Sequence, residues 1–549
     1  PAGNVTLKGV VADNGKDSVV AGGTFPGIPA VLIGHGNHIA WGVTNAYADT
    51  QDLVGLTLDG DGYVVDGKHV AFKTHKETFK LGKDKNAPIV EETWKTSRFG
   101  PVLPAGYGGW VGPKGTFSLL WTAIEFPKEN GHMVSAFWDL ARAKNVDEAT
   151  AAVQNFSAPA MSVNMAFTDG TIAYRLSGIV PRRADPAQRP DRVRDGSKAN
   201  AGWSGMLAVD EKPHETNPKK GYIVASNQRV LENGVDAQAN VGFEGARPSR
   251  AMRLDTRIHE LVDGGKKAKT DDLLAIQQDI TALDAIELAP IIAKHCPKQV
   301  AGFDDAHVAA FCDSIAKFDG VFTEDAIALP YERTAAALAM ETLKAHVDDA
   351  LARQVIGQTF VQDALVDAAV KEEIGAQWSP LFDDPTTKEH DGLDEFVARA
   401  VDKALPQVFE EAGTSVDDWR WGKLHRLSPR GTLARVPVIG ALFDGESHAE
   451  SGTSSTPRAE HPDFDHKMRV VDGAGLRLIA EMSDPPVVRM VNDSGQSGHF
   501  GSKHLFDQYP LWHAGKPRVL SLSADDAEKV KEGALVSFAY LGATNPDAD

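Results

Sequence analysis

The sequence predicts an α+β protein in which β-rich stretches flank a large helical block. Three observations carry this. Residues 1 to about 125 break into short apolar, β-branched runs separated by Gly, Asp and Asn. From Thr270 to about Ala412, Ala and Leu recur at helical spacing. Beyond Trp419 the pattern returns to β and loop, rich in Gly, Ser and Pro. The division this predicts is 1–265, 266–415 and 416–549, with the outer two parts sharing a β-rich core.

The elements follow in order. "NVTLKGVVA", "AVLIG", "LVGLTL" and "GTFSLLWTAI" read as strands. "LDGDGYVVDGK" (Leu58 to Lys68) looks briefly like an EF-hand loop. It has no third ligand in register and no Glu at loop position 12, so hairpin turns are expected. Residues 134–156 turn helical, with Asp147-Glu148 near a helix start. "MSVNMAFTDGTIAYRLSG" reads as a hairpin turning at Asp169-Gly170, and "GYIVASNQRV" (Gly221 to Val230) as a strand ending in polar residues. "TDDLLAIQQDI", "YERTAAALAMETLKAHVDDALARQVI" and "DEFVARAVDKAL" are amphipathic helices, the first with an expected N-cap in Thr270-Asp271-Asp272.

Composition narrows the function. The 549 residues carry a net charge of −19, and no Lys/Arg cluster forms a phosphate-binding stripe, which argues against nucleic acid. No apolar run approaches the roughly 20 residues a membrane span needs. The opening "PAGNVTLKGVV" lacks the basic start and apolar core of a signal peptide and reads like the middle of a strand region, as in a piece of a longer precursor. Cys296 and Cys312 fit no zinc motif. They read either as one disulfide across a helix-loop-helix or as two buried thiols, and export would favour the disulfide.

Familiar nucleophile and metal motifs are weak. "GQSGH" (Gly495 to His499) begins like a nucleophile elbow but has His where the last Gly belongs, and a Gly-rich loop is the better reading. "HPDFDH" (His461 to His466) has the wrong spacing for a helical two-His zinc site, and its Pro argues for a loop. Two Asn-bearing stretches stand out instead. "HIAWGVTNAYADTQD" (His38 to Asp52) crowds Asn45, Asp49, Thr50, Gln51 and Asp52 after an apolar strand. "GYIVASNQRV" ends in Ser226-Asn227-Gln228-Arg229. An amide at a strand end can donate into a cleft, as an oxyanion hole requires. Each taken alone is more often a strand cap or turn.

Taken together, these stretches resemble the penicillin acylase family of N-terminal-nucleophile (Ntn) hydrolases, which includes penicillin, cephalosporin, acyl-homoserine-lactone and cyclic-lipopeptide acylases. "GTFPGIPAVLIGHGNHIAWGVTNAYADTQDL" resembles the family block that runs from a Pro-Gly pair to Ala-Trp-Gly-x-Thr and trailing acidic residues. "TSRFGPVLP" (Thr96 to Pro104) resembles a His-Gly-Pro-Val block, with Phe99 in place of the His. "DGTIAY" (Asp169 to Tyr174), "GYIVASNQRV", "RPSRAMRL" (Arg247 to Leu254) and "SGQSGHFGSKHLFDQYPLW" (Ser494 to Trp512) follow in family order.

The resemblance implies a four-layer αββα sandwich with a large helical insertion. It implies the β subunit of an exported, periplasmic or secreted precursor that is cut autocatalytically and pairs with an α subunit. The reaction would be hydrolysis of a small N-acyl substrate, antibiotic amides among them, through an acyl-enzyme on an N-terminal Ser. That residue's own α-amino group, with an unperturbed pKa near 8, would serve as base. Asn227 matches the side-chain oxyanion donor, Asn45 the backbone N–H donor, and Arg250 the arginine that orients them. Asp49, Gln51 (through its carbonyl) and Asp52 match calcium ligands, with Pro190 (carbonyl) and Asp236 as looser candidates. Val43, Ile33, Phe137 and Met161 fall near acyl-pocket positions, although a buried core would use the same residues.

One departure is chemical. The sequence begins with Pro1, which has no hydroxyl, and no internal serine has a free α-amino group. The expectation is therefore a Ser-bearing segment and an α subunit outside this sequence. The alternatives are an inactive or truncated calcium-stabilised binding homologue, and a serine hydrolase using Ser497.

Overall fold

The computed structural model describes residues 2–11, 17–25, 28–84, 86–104, 114–126, 132–185, 192–228, 241–242, 249–265, 267–356, 359–375, 379–387, 391–431, 433–463, 467–483 and 486–520. Its centre is a seven-stranded antiparallel sheet. In spatial order the strands are Ala2–Val11, Asp17–Gly23, Ile33–His35, Ile39–Asn45, Met161–Phe167, Ile172–Leu176 and His214–Thr216. The Ile39–Asn45 strand is the pivot. It leaves the first meander and pairs with a strand more than a hundred residues later, in a register that sets Asn45 opposite Met161 and Val43 opposite Val163.

Alternation explains that register. Ile39 and Trp41 point into the same core as Val163, Met165 and Phe167. Two helices cover this face, Met133–Arg142 and Val146–Gln154. The expected helical stretch divides because the Asn145 side chain caps the second helix, accepting from the N–H groups of Asp147 (3.1 Å) and Glu148 (3.0 Å). The expected hairpin turn lies at Asp169-Gly170, where Gly170 adopts φ +88°. The Leu58–Lys68 stretch forms antiparallel hairpins, as its turn chemistry demands.

A three-stranded antiparallel sheet, Leu476–Glu481, Val487–Asn492 and Arg518–Leu520, brings the C-terminal part onto the first. The sheets approach so closely that a Cβ on Gly23 would lie 2.6 Å from Leu476 Cδ2. Pro462 sits in a short strand, Glu460–Asp463, and not in a loop; a register shift between His461 and Pro462 absorbs its missing N–H. The rest of "HPDFDH" lies outside the described residues.

Helices dominate from Thr270 to Glu411 and share one core that includes Phe311, Phe322, Trp419 and Trp421. The first helix is not capped as expected. Lys269 is its N-cap residue, and Asp272 reaches back to accept from the Lys269 N–H at 2.8 Å. Thr270 donates instead to Glu481 of the second sheet at 2.9 Å, which ties the helical block to the β core. Cys296 and Cys312 form a disulfide with a Cα–Cα distance of 6.1 Å. It closes a loop whose stabilisation is about 3 kcal/mol on chain-entropy grounds. Among the described residues, no helix is long and apolar enough to cross a membrane.

Candidate active site

Three distant segments meet where the Ile39–Asn45 strand ends. The strand presents Asn45 as its last residue. On one side, Ala46 N–H bonds Ala160 O at 3.3 Å, while the Met161 N–H donates to Ser177 Oγ at 3.1 Å. Met161 therefore faces its other neighbour, and Asn45 and Met161 form a non-hydrogen-bonded pair. The N–H and C=O of Asn45 point together to the opposite edge. There the Asn45 carbonyl accepts from Asn227 Nδ2 at 2.9 Å, across 182 residues of sequence. Thr44 Oγ1 accepts from the same Nδ2 at 2.6 Å. The Asn45 side chain faces elsewhere, its Oδ1 accepting from the Tyr47 N–H at 3.0 Å.

Asn227 does not end a strand. Residues 222–228 join no ladder, because local side-chain bonds take the backbone groups: Ser226 N–H donates to Gln228 Oε1 at 2.6 Å, and Gln228 Nε2 to Val224 O at 2.7 Å. The turn so formed holds Asn227 at φ 63°, a left-handed conformation that Asn tolerates. Arg250 lies in the first turn of the helix Ser249–Asp263. Its Nη2 donates to Asn227 Oδ1 at 2.6 Å and to Ser226 O at 3.2 Å, and its Nε donates to Ser226 Oγ at 2.7 Å. The planar fork thus fixes the carboxamide and the turn that carries it. Ser226 and Thr44 complete this network, and nothing in the sequence pattern marks them as partners of Asn227.

The expected apolar residues divide. Val43, Phe137 and Met161 belong to one core cluster, with Phe137 against Phe156 at 4.3 Å between ring centroids. Ile33 lies on the neighbouring strand, outside that cluster. Phe137 and Met161 are buried, so their packing role is established by the fold itself.

The expected calcium ligands come out differently. Asp52 is 1% exposed, and its carboxylate is fully engaged. Arg183 Nε lies 3.3 Å from Oδ1 and 3.1 Å from Oδ2, Arg183 Nη2 donates to Oδ1 at 3.0 Å, and Trp203 Nε1 to Oδ2 at 2.6 Å. Three N–H groups thus reach the carboxylate, the Arg183 Nε–H being shared between its two oxygens. Arg183 Nη2 also donates to the Asp49 carbonyl at 3.0 Å. Gln51 lies on the Gln51–Gly55 strand, and Pro190 and Asp236 lie outside the described residues. Among the described residues, no group of three or more His, Cys, Asp or Glu could hold a metal. Of the expected set, only Asp49 and the Gln51 carbonyl remain among the described residues beside Asp52, whose oxygens the Arg183 and Trp203 side chains hold. The described residues therefore do not fit a calcium cage, because a guanidinium and an indole have taken the central carboxylate. Arg183 is the residue the sequence reading missed; the only signal was a charged pair, Arg182-Arg183, closing an apolar run.

"GQSGH" is a loop, with Ser497 Oγ accepting from the His499 N–H at 3.1 Å and no strand-turn-helix around it. Ser497 is half-exposed there but lacks the strand-turn-helix frame that makes an elbow serine a nucleophile.

A sequence profile of the penicillin amidase family matches residues 12–529. The chain belongs to the penicillin amidase family. Among curated family members it is 27% identical over 537 residues to acyl-homoserine lactone acylase QuiP of Pseudomonas syringae pv. tomato, covering 93% of this chain and 61% of that protein. It is 24% identical to penicillin acylase 2 proenzyme of Pseudomonas sp. (strain SE83), covering 93% of this chain and 63% of that protein. The chain therefore spans about three fifths of the length of these relatives. Among solved structures, thermostable penicillin G acylase from Alcaligenes faecalis superposes with a TM-score of 0.69 at 16% identity, covering 98% of this chain and 94% of that one. The fold is that α+β Ntn-hydrolase sandwich, with its large helical insertion.

Proposed function

We propose that this chain is the body of an N-acyl amide hydrolase, working through an acyl-enzyme on an N-terminal serine that this sequence does not contain. One observation carries the reading: the Asn45 backbone edge, the Asn227 carboxamide and Arg250 converge from three segments. A tetrahedral intermediate places negative charge on the former carbonyl oxygen, and two N–H donors aimed at one point stabilise charge that appears only then. The Asn45 N–H is one donor and Asn227 Nδ2 the other. At rest, Nδ2 donates to the Thr44 hydroxyl and the Asn45 carbonyl, both neutral acceptors. An alkoxide is the stronger acceptor and takes one of those hydrogens. Arg250, bonded to Oδ1, draws electron density through the amide and makes Nδ2 a better donor.

The nucleophile would attack the acyl carbon, and its α-amino group would take the hydroxyl proton and pass it to the leaving amine. Water would then hydrolyse the ester. No step needs a metal. The partner would be an α subunit from the same precursor, a reading supported by the chain's length relative to its family members. The Cys296–Cys312 disulfide supports a periplasmic or secreted location. The substrate would carry an apolar acyl group, as an acyl-homoserine lactone or a penicillin does; the names of the relatives support both.

The test uses the full-length protein. N-terminal sequencing should find a processed chain that starts with Ser, and a panel of N-acyl homoserine lactones and penicillins of graded acyl length should be hydrolysed. A mature enzyme without an N-terminal Ser, binding such ligands without turnover, would instead make this a binding homologue.

A further inference from the structure

We infer that the Arg183 guanidinium takes the structural place of a divalent cation at the corner that follows the Asn45 strand, so that this corner holds its shape without metal. A cation there would have two tasks: neutralise a buried carboxylate, and tie the segment after Asn45 to the chain that crosses it. Arg183 does both. Its side chain and that of Asp52 are each 0% exposed, and they lie 3.0 Å apart between Nη2 and Oδ1. The same Nη2 donates to the Asp49 carbonyl at 3.0 Å, so one guanidinium pins residues 49 and 52 to the Pro181–Arg183 strand. The Trp203 indole donates to Oδ2 at 2.6 Å.

A second guanidinium stands behind the first. Arg194 is 1% exposed, donates through Nε to Ala201 O at 2.5 Å, and lies close enough to Asp52, Arg183 and Asp185 to feel all three charges. A calcium ion on Asp52 would have to displace a bidentate arginine and then sit beside two buried positive groups. Coulomb repulsion in a water-poor corner opposes that strongly. A guanidinium also has a fixed planar fork that matches a carboxylate, whereas calcium needs six or more oxygens converging on one point.

This does not rest on the acylase reading, because calcium content and melting are measured without substrate. The experiment uses the full-length protein, dialysed against chelator. Calcium by elemental analysis should be substoichiometric, and the Tm should be the same in chelator and in millimolar calcium chloride, since a ligand that does not bind the native state cannot shift it. Arg183→Met should lower the Tm in chelator by several degrees. If Arg183→Met does not fold, Arg183→Lys keeps the charge without the fork and should melt between wild type and unfolded, still unaffected by calcium. The inference is overturned by one retained equivalent of calcium in wild type that disappears in Asp52→Asn, or by an Arg183→Met protein that melts like wild type in chelator.

Discussion

Arg250 and Arg183 sit at the two ends of one short stretch, residues 45–52, and hold it in opposite ways. Arg250 is half-buried and grips neutral groups: the Asn227 carboxamide, the Ser226 hydroxyl and the Ser226 carbonyl. Arg183 is buried and grips a charge, with N–H donors on both oxygens of Asp52. A charge pair out of water is costly to separate, so that corner is a fixed anchor. A neutral network at a partly exposed strand end can exchange one acceptor for another at little cost. The difference teaches where the chain keeps rigidity and where it keeps a replaceable partner, and the replaceable partner is on the side that would meet an oxyanion.

The comparison can be broken by removing each grip in the full-length protein. The largest effect is expected at Asn227→Ala, which deletes a donor and should lower kcat by about 10²–10³-fold with little change in KM, beside a lower Tm from placing Ala at φ 63°. A lower Tm with kcat unchanged would mean that Asn227 only supports the turn.

Acid should come next. His35 lies buried on the Ile33–His35 strand, and burial pushes its imidazole down to about 4, against a smaller opposing effect of the Gly36 carbonyl at 2.8 Å. The unfolded chain therefore binds a proton that the folded chain refuses between pH 6.5 and about 4. Stability is present above 6.5 and is lost as pH falls through that window, by about 2 kcal/mol between pH 6.5 and 5. Denaturant titrations of wild type and His35→Gln at the two pH values isolate it. Other buried groups, including Glu332, whose carboxyl burial raises to about 8, titrate alike in both proteins.

Trp203→Phe sharpens the anchor side. It leaves Oδ2 of Asp52 short of its 2.6 Å donor and should cost about 1–3 kcal/mol in chemical denaturation, with kcat affected less than by Asn227→Ala. Arg250→Lys keeps charge but loses the fork; an effect near tenfold in kcat, about 1.4 kcal/mol, is expected. Asn45→Ala should be the mildest, below that tenfold, because Asn45 contributes its backbone and its side chain only closes the turn to Tyr47. A large Asn45→Ala effect would move the second donor from the backbone to the side chain.

These residues were unequally legible. Asn45, Asn227 and Arg250 stood in quotable blocks, and the fold brings all three together. The strand expected at Gly221 to Val230 is no strand over its described part, residues 221–228, because Ser226 and Gln228 satisfy the backbone locally, an outcome that apolar spacing does not report. The N-cap expected at Thr270 moved one residue because Thr270 found a tertiary partner in Glu481. The calcium set was implied by the family resemblance, and a match at residues 49 to 52 gives no sign that a residue 131 positions away will take the same carboxylate.

The order of β, helical and β regions was readable from the residues alone, because apolar periodicity is local, and so were the candidate donors, because their residue types and order form a family pattern. Only the tertiary structure decided which edge of Asn45 faces Asn227, since that follows from the register with the Met161–Phe167 strand. It also decided what neutralises Asp52, since a buried carboxylate is satisfied by whatever the fold brings within reach, and here that is Arg183.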